Sequence, residues 1–304
     1  MKLWKGIYKG LEAFFMENEK IQLATLPDLG AKIASLIYKP QDFEIASQPS
    51  EERYRKARFG DPFELYDTSG FDDCFPTIDP CDDMVDHGEL WSQAWEVRQV
   101  NDSLTCSVEG IRFSYRFERT IELHDSSVIL SYRVTNLGRE PLLALWAFHG
   151  LINADELTKI LISANKVINV HKSPWLGKVG QVHSYPKSIL IDGRLLWLDR
   201  FDPKAKRTEK YYAYGRLEKG EAALTLNHGR LLYKLAFPEN TVPYLGIWLN
   251  ERGLREGSTC ALEPSTAFYD SPEIAEKNGS IDPLASGKNL VWTLIITLEP
   301  LREG

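Results

Sequence analysis

Three short stretches of this 304-residue chain set a titratable side chain among aromatic and turn residues. Asp86-His87-Gly88 is followed by Trp91 and Trp95. Leu145-Trp146-Ala147-Phe148-His149-Gly150 closes an apolar run on a histidine. Cys260-Ala261-Leu262-Glu263-Pro264 closes another on a carboxylate. A histidine with an ordinary pKa of about 6.5 and a carboxylate lifted by burial are the groups that move protons near neutral pH. Each stretch also has a structural reading. For the first it is a loop histidine beside core-lining tryptophans, although a turn at Gly88 would let the backbone approach a ligand closely. His149 suits a core histidine holding one hydrogen bond. Glu263 ends a strand expected to be buried, where a carboxylate is costly unless it is paired or hydrogen-bonded. It therefore calls for an Arg or Lys partner, a catalytic duty, or both.

Other chemistries lack their residues. His87-x-Glu89 is not followed by the Pro-Cys-x-x-Cys of zinc deaminases. Cys74 and Cys81 have no second pair at finger spacing. No His-Glu-x-x-His, Gly-x-Ser-x-Gly, P-loop or dinucleotide glycine motif stands in a usable context. His87, His149 and a carboxylate are the residues that would ligate a metal if one were bound; no metal is expected. The four cysteines are expected as free thiols.

Composition narrows the class further. Hydrophobic residues make up 43% and charged residues 26%, as in globular proteins. The net charge of −7 argues against a nucleic-acid partner, which needs a basic face. A short basic cluster at Lys204, Lys206, Arg207 and Lys210 reads as a solvated loop. No apolar run reaches the ~18 residues of a membrane span, and the N-terminus has no signal-peptide pattern, so a cytoplasmic location is expected.

The elements that must position these groups are strands. Ile111, Phe113, Tyr115 and Phe117 alternate with polar residues, as do Val128, Leu130, Tyr132 and Val134. Leu290, Trp292, Leu294, Ile296 and Leu298 share one face near the C-terminus. Strict alternation is the mark of half-buried strands. Tyr212–Leu217, Ala222–Leu226 and Leu231–Phe237, separated by Lys219-Gly220 and Asn227-His228-Gly229, read as an antiparallel meander. Helical signals are confined to Ser271–Lys277 and a turn or so near Asp155–Ile160. Residues 41–63 and 173–187 read as long loops, the usual carriers of binding function on a β scaffold. Nothing resembles a linker or repeat, so one all-β antiparallel sandwich domain over residues 1–304 is expected.

Taken in order, these segments resemble the aldose 1-epimerase family of the galactose mutarotase-like superfamily. Leu26–Leu36 is similar to its opening strand pair. Gly70–Ile78 is similar to its Gly-x-x-x-x-Phe-Pro segment. His87-Gly88, Phe148-His149 and Leu262-Glu263-Pro264 stand where the family carries its two histidines and its glutamate. Gly150 departs from the proline that commonly follows the second histidine. The family's Asn-Arg sugar-contact pair has no clear match near Asp73–Pro76, and Asp199 and Asp202 are weak counterparts of its binding aspartate.

The resemblance implies a large β-sandwich that interconverts α and β anomers of an aldose by ring opening. Glu263 would be the base, protonated His149 the acid, and His87 a support at the ring oxygen or a neighbouring hydroxyl. Asp73, Trp91, Trp146 and Trp248 are the expected sugar contacts. No cofactor is implied, the partner is a monosaccharide or phosphosugar, and a monomer or homodimer is expected. Rival readings are a non-catalytic sugar binder on the same scaffold, a lyase-like enzyme, or a hexose-6-phosphate mutarotase. In the last, Arg53, Arg55, Lys56 and Arg58 would meet the phosphate.

Overall fold

The computed structural model describes residues 1–66, 69–190, 192–202, 204–254 and 257–301. Among them the strands form two large antiparallel sheets, of twelve and eight strands, and a separate two-stranded ribbon. None of their helices is long and apolar enough to cross a membrane. The smaller sheet owes its order to period-two patterning. Ser127–Asn136 lies between Tyr115–His124 and the terminal strand Asn289–Pro300. Its residues Val128, Leu130, Tyr132 and Val134 all point inward. Trp292, Leu294, Ile296 and Leu298 do the same from the terminal strand.

The larger sheet carries the four strands that matter for function. In sheet order these are Ala147–Ala154, Ser258–Ser265, Tyr244–Glu251 and Arg207–Ala213. Phe148, Leu262, Ile247 and Tyr211 turn one way and join the main core shared with the smaller sheet. Alternation then sends His149, Glu263, Trp248 and Lys210 to the opposite, outer face. Gly150 is at home here. Its strand is paired on both sides, to Phe71–Cys74 and to Ser258–Ser265. A proline there would bring no backbone N–H to either pairing. A Cβ there would also stand 2.5 Å from the Phe148 ring.

Several local expectations need correction. The strand foreseen from Ile111 begins only at Tyr115. The buried carboxylate of Glu89 accepts the backbone N–H groups of Ile111 and Arg112, at 2.7 and 3.0 Å, and draws that segment into a turn. The meander is in fact a hairpin of Glu221–Leu226 with Leu231–Ala236. Of its supposed first member, Tyr212–Leu217, only Tyr212 and Ala213 are in a strand; that strand, Arg207–Ala213, belongs to the larger sheet and pairs with Tyr244–Glu251 and Lys166–Asn169. Near Asp155 there is a turn, and Lys159–Ile162 is a strand rather than a helix. The Pro272–Lys277 helix is present, and the Ser271 hydroxyl caps it by accepting from Ile274 N–H. All four cysteines are free thiols.

Candidate functional site

The outer face of the larger sheet floors a cavity of about 320 Å³. Lys210, Trp248 and His149 line it from their strands; Asp79, His87, His171 and Asp270 close it from the loops, and Phe63 from a short helix. Phe63 stands at the start of the short Phe63–Tyr66 helix, at the end of the long early loop.

His87 has the positive φ of 56° that a tight turn demands. Gly88, also at positive φ, packs against the Phe75 backbone, where a Cβ would lie 2.2 Å from the carbonyl oxygen. The close approach foreseen for Gly88 is thus to the protein's own chain. Asp86 fixes the imidazole by a 2.7 Å contact to Nδ1 and also accepts from Phe63 N–H at 2.9 Å. The Phe63 ring stacks on His87 at 4.0 Å and meets His149 edge-on at 5.2 Å. His87 and His149 are themselves 5.1 Å apart between ring centres.

Glu263 is fully buried and lies behind the cavity wall rather than on it. One carboxylate oxygen, Oε2, accepts a short hydrogen bond from Lys210 Nζ. The other, Oε1, has no hydrogen-bond partner among the described residues and stands 4.0 Å from His149 Nε2. Lys210 Nζ also lies 3.6 Å from Asp270 Oδ1, so this one ammonium bridges two buried carboxylates. Asp270 accepts the Tyr212 hydroxyl at 2.6 Å and faces His171 Nε2 at 3.1 Å. Asp79 Oδ2 is 3.8 Å from the same nitrogen.

Electrostatics separate the two histidines. Burial holds the His149 pKa well below its ordinary value, and the charges of His87, Lys210 and Lys32 push the same way. The hydrogen bond to Asp270 raises that of His171 despite partial burial. Burial disfavours the Lys210 ammonium, but Asp270 and Glu263 outweigh it and keep the group charged. Burial lifts the Glu263 carboxyl against the pull of Lys210. Glu209, at the cavity edge, is pushed up to about 7 by burial.

A protonated His149 therefore does not fit its surroundings; the ring is neutral at pH 7. Imidazole NMR signals assigned with single-histidine variants test this. His149 should stay neutral as pH falls through about 6.5, the ordinary histidine value, while His171 should titrate above it. The signs for stability are opposite. The unfolded chain protonates His149 more readily than the native one, so this group removes stability as pH falls below about 6.5. The contribution of His171 is full below that value and is lost as pH rises through its raised native pKa. A His149 titration near 6.5 would refute the neutral assignment.

Of the expected residues, His87, His149 and Trp248 meet at the cavity, with Glu263 directly behind. Asp73, Trp91 and Trp146 do not. Asp73 faces the core between the sheets, where Arg119 Nη1 donates to it at 2.6 Å and Trp146 Nε1 at 2.9 Å. Trp146 is fully buried there against Tyr132 and Trp292. Trp91 is buried and donates through Nε1 to the Asp86 carbonyl, supporting the His87 turn from behind. The supposed solvated basic loop is also wrong for two members. Arg207 and Lys210 are buried in a strand, paired to Glu251 and Glu263. Lys210, Asp270, His171 and Asp79 were missed. Only Lys210 left a signal, since Thr208, Lys210 and Tyr212 share one face at period two. Among the described residues, Asp79, His171 and Asp270 form one cluster close enough to hold a metal.

No protein-family model and no curated protein matches the sequence. Solved structures do match over nearly the whole chain. The Slr1438 protein of Synechocystis sp. PCC 6803 has a TM-score of 0.71 at 17% identity, covering 98% of this chain and 99% of its own. A galactose mutarotase-like protein from Clostridium acetobutylicum gives 0.70 at 13%, covering 99% of both chains. Another from Lactobacillus casei gives 0.64 at 18%, covering 94% of this chain and all of its own. At such identities the likeness speaks for architecture, and with the sheets described above it shows that this chain has the galactose mutarotase-like fold.

Proposed function

We propose that the cavity takes an unphosphorylated aldose in its ring form and exchanges its α and β anomers by acid–base ring opening. The observation that carries this reading is the convergence of His87, His149 and the Lys210–Glu263 pair, from four separate segments, on one small cavity. Its volume is at the lower end of small-molecule sites.

Ring opening requires the anomeric hydroxyl to lose a proton while the ring oxygen gains one. His149 is neutral and so suits the accepting side. Glu263, with an unpartnered oxygen facing that ring, stabilises the imidazolium as it forms. The 4.0 Å separation is of the kind that tightens when a ligand is bound. Glu263 thus serves as the charge behind the base. His87, anchored by Asp86, is placed to hold a hydroxyl, and Trp248 offers an apolar face to the sugar's C–H surface. The reaction has no redox step and calls on no cofactor.

The phosphosugar alternative lacks support at the wall. Arg53, Arg55, Lys56 and Arg58 do not line the cavity. Lys56 pairs with Asp28, and Arg55 donates to the Leu65 carbonyl. The lining acids Glu64, Asp79, Glu209 and Asp270 outnumber Lys210 and His171. A dianionic phosphate would meet repulsion there.

The test follows anomer exchange of freshly dissolved α-glucose, α-galactose and other aldoses by NMR, with and without protein, alongside the 6-phosphates. Acceleration is expected for at least one free sugar and not for its 6-phosphate. No acceleration across the panel would sink the reading. Saturable binding without acceleration would favour a sugar sensor, for which the position of Glu263 behind the wall is the observation in favour.

A further inference from the structure

We infer that His171, backed by Asp270, is the proton donor of this cavity, working opposite the His149–Glu263 pair. This rests on the ring-opening reading and completes it, because a neutral His149 leaves the ring oxygen without an acid.

The geometry sets two imidazoles on one cavity, each with a carboxylate near its Nε2. His149 lines the cavity with Nε2 4.0 Å from Glu263 Oε1 and with Nδ1 buried. His171 lines it with the Asp270 carboxylate at its back. Lys210 joins the two carboxylates from the floor. Asp270 is rigidly set. Its backbone carbonyl accepts from the N–H groups of Ile78 and Asp79, at 3.0 and 2.8 Å. Its side chain takes the Tyr212 hydroxyl. His171 follows the Lys166–Asn169 strand and has a side chain 49% exposed, so a ligand can reach it. Nε2 is committed to Asp270, which leaves Nδ1–H to face the sugar.

The groups around the imidazole favour its charged form. Asp270 and Asp79 lie against it, opposed by Lys210. In the opening step the anomeric O–H proton passes to the His149 imidazole and the O–H electrons form the carbonyl. The bond from C1 to the ring oxygen breaks, and that oxygen takes the Nδ1 proton of His171. After rotation about C1–C2 the same transfers run backwards. Both histidines return to their starting states, and no co-reactant is consumed.

The experiment compares wild type, His171→Gln and Asp270→Asn on the aldose that wild type accelerates best. His171→Gln is expected to lower kcat by about 10²-fold or more, the usual worth of a positioned acid, with KM little changed. In wild type, kcat/KM should fall as pH rises through the His171 titration, and this limb should vanish in the variant. Sugar binding measured by NMR titration reports whether the variant site is intact. An active wild type with His171→Gln at undiminished kcat would overturn this assignment while leaving the ring-opening reading standing. An inert wild type would overturn both.

Discussion

Replacing Lys210 by Met is expected to remove activity and to destabilise the protein by about 3–5 kcal/mol, the usual cost of breaking a buried ion pair from one side. Lys210 is the single ammonium between Glu263 and Asp270, and all three side chains are buried. Without it two carboxylates face each other across the cavity floor with no compensating charge. The Met side chain fills much of the volume of the lysine stem, so the loss measures charge rather than a cavity. Adding Glu263→Gln should recover part of the stability, because an amide tolerates the uncharged site. Asp270 would remain supported by Tyr212 and His171. Activity should not return with it. Glu263→Gln alone is expected to lower the rate by about 10²–10⁴-fold, since it removes the charge that stabilises the His149 imidazolium. The pH dependence of Lys210→Met is a second readout. Burial already lifts the Glu263 carboxyl, and with its cation gone the native pKa rises further above the unfolded value. Stability is then best below the unfolded carboxyl pKa and is lost as pH rises through the native one. Urea denaturation of the single and double variants between pH 4 and about 8 measures all of this. A midpoint unchanged by Lys210→Met would show that the bridge contributes nothing.

The history of Lys210 shows where sequence reading stops. Strand patterning read Ser127–Asn136 and Asn289–Pro300 correctly because each has one apolar face and one polar face over many residues. The order of His87, His149 and Glu263 along an all-β chain pointed to the fold, and the structure brings these three side chains close together at the outer face of the larger sheet. Arg207–Ala213 defeated the same rule. A strand buried on both faces that carries Arg207, Glu209 and Lys210 looks polar, and a polar stretch reads as a loop. What makes it a strand is long-range ion pairing to Glu251 and Glu263, 44 and 53 residues further along the chain. Asp79, His171 and Asp270 raise the same difficulty more sharply. They lie in loops with no periodicity; Ile78 and Asp79 hydrogen-bond to the Asp270 carbonyl, and the His171 ring meets the Asp270 side chain. Chemistry assembled by backbone contacts between distant loops leaves no local pattern to read.

Asp73 was expected at the sugar, and its actual surroundings predict an effect of similar size. Its carboxylate lies between the sheets, on the core side of the Phe71–Cys74 strand. Arg119 reaches it from Tyr115–His124 of the other sheet, and Trp146 donates to its second oxygen. Arg119 also donates to the Ala31 carbonyl and lies over the Trp95 ring at 5.7 Å. The pair therefore ties the two sheets through an otherwise apolar core. Asp73→Ala should cost about 3–5 kcal/mol, because it leaves a fully buried guanidinium unpaired. Burial raises the Asp73 carboxyl, but the ion pair keeps it charged. Replacing both members by apolar residues of similar size, Asp73→Leu with Arg119→Met, should restore most of the stability, since apolar contacts then take the place of two desolvated charges. Trp146 Nε1 would lose its acceptor, and that sets a residual cost of about 1–3 kcal/mol. Urea midpoints give the stabilities, and anomer exchange shows whether the cavity notices. With Asp73 and Arg119 facing the core side of the sheet, the double variant should keep wild-type KM for its sugar. A large rise in KM would instead return Asp73 to the binding site.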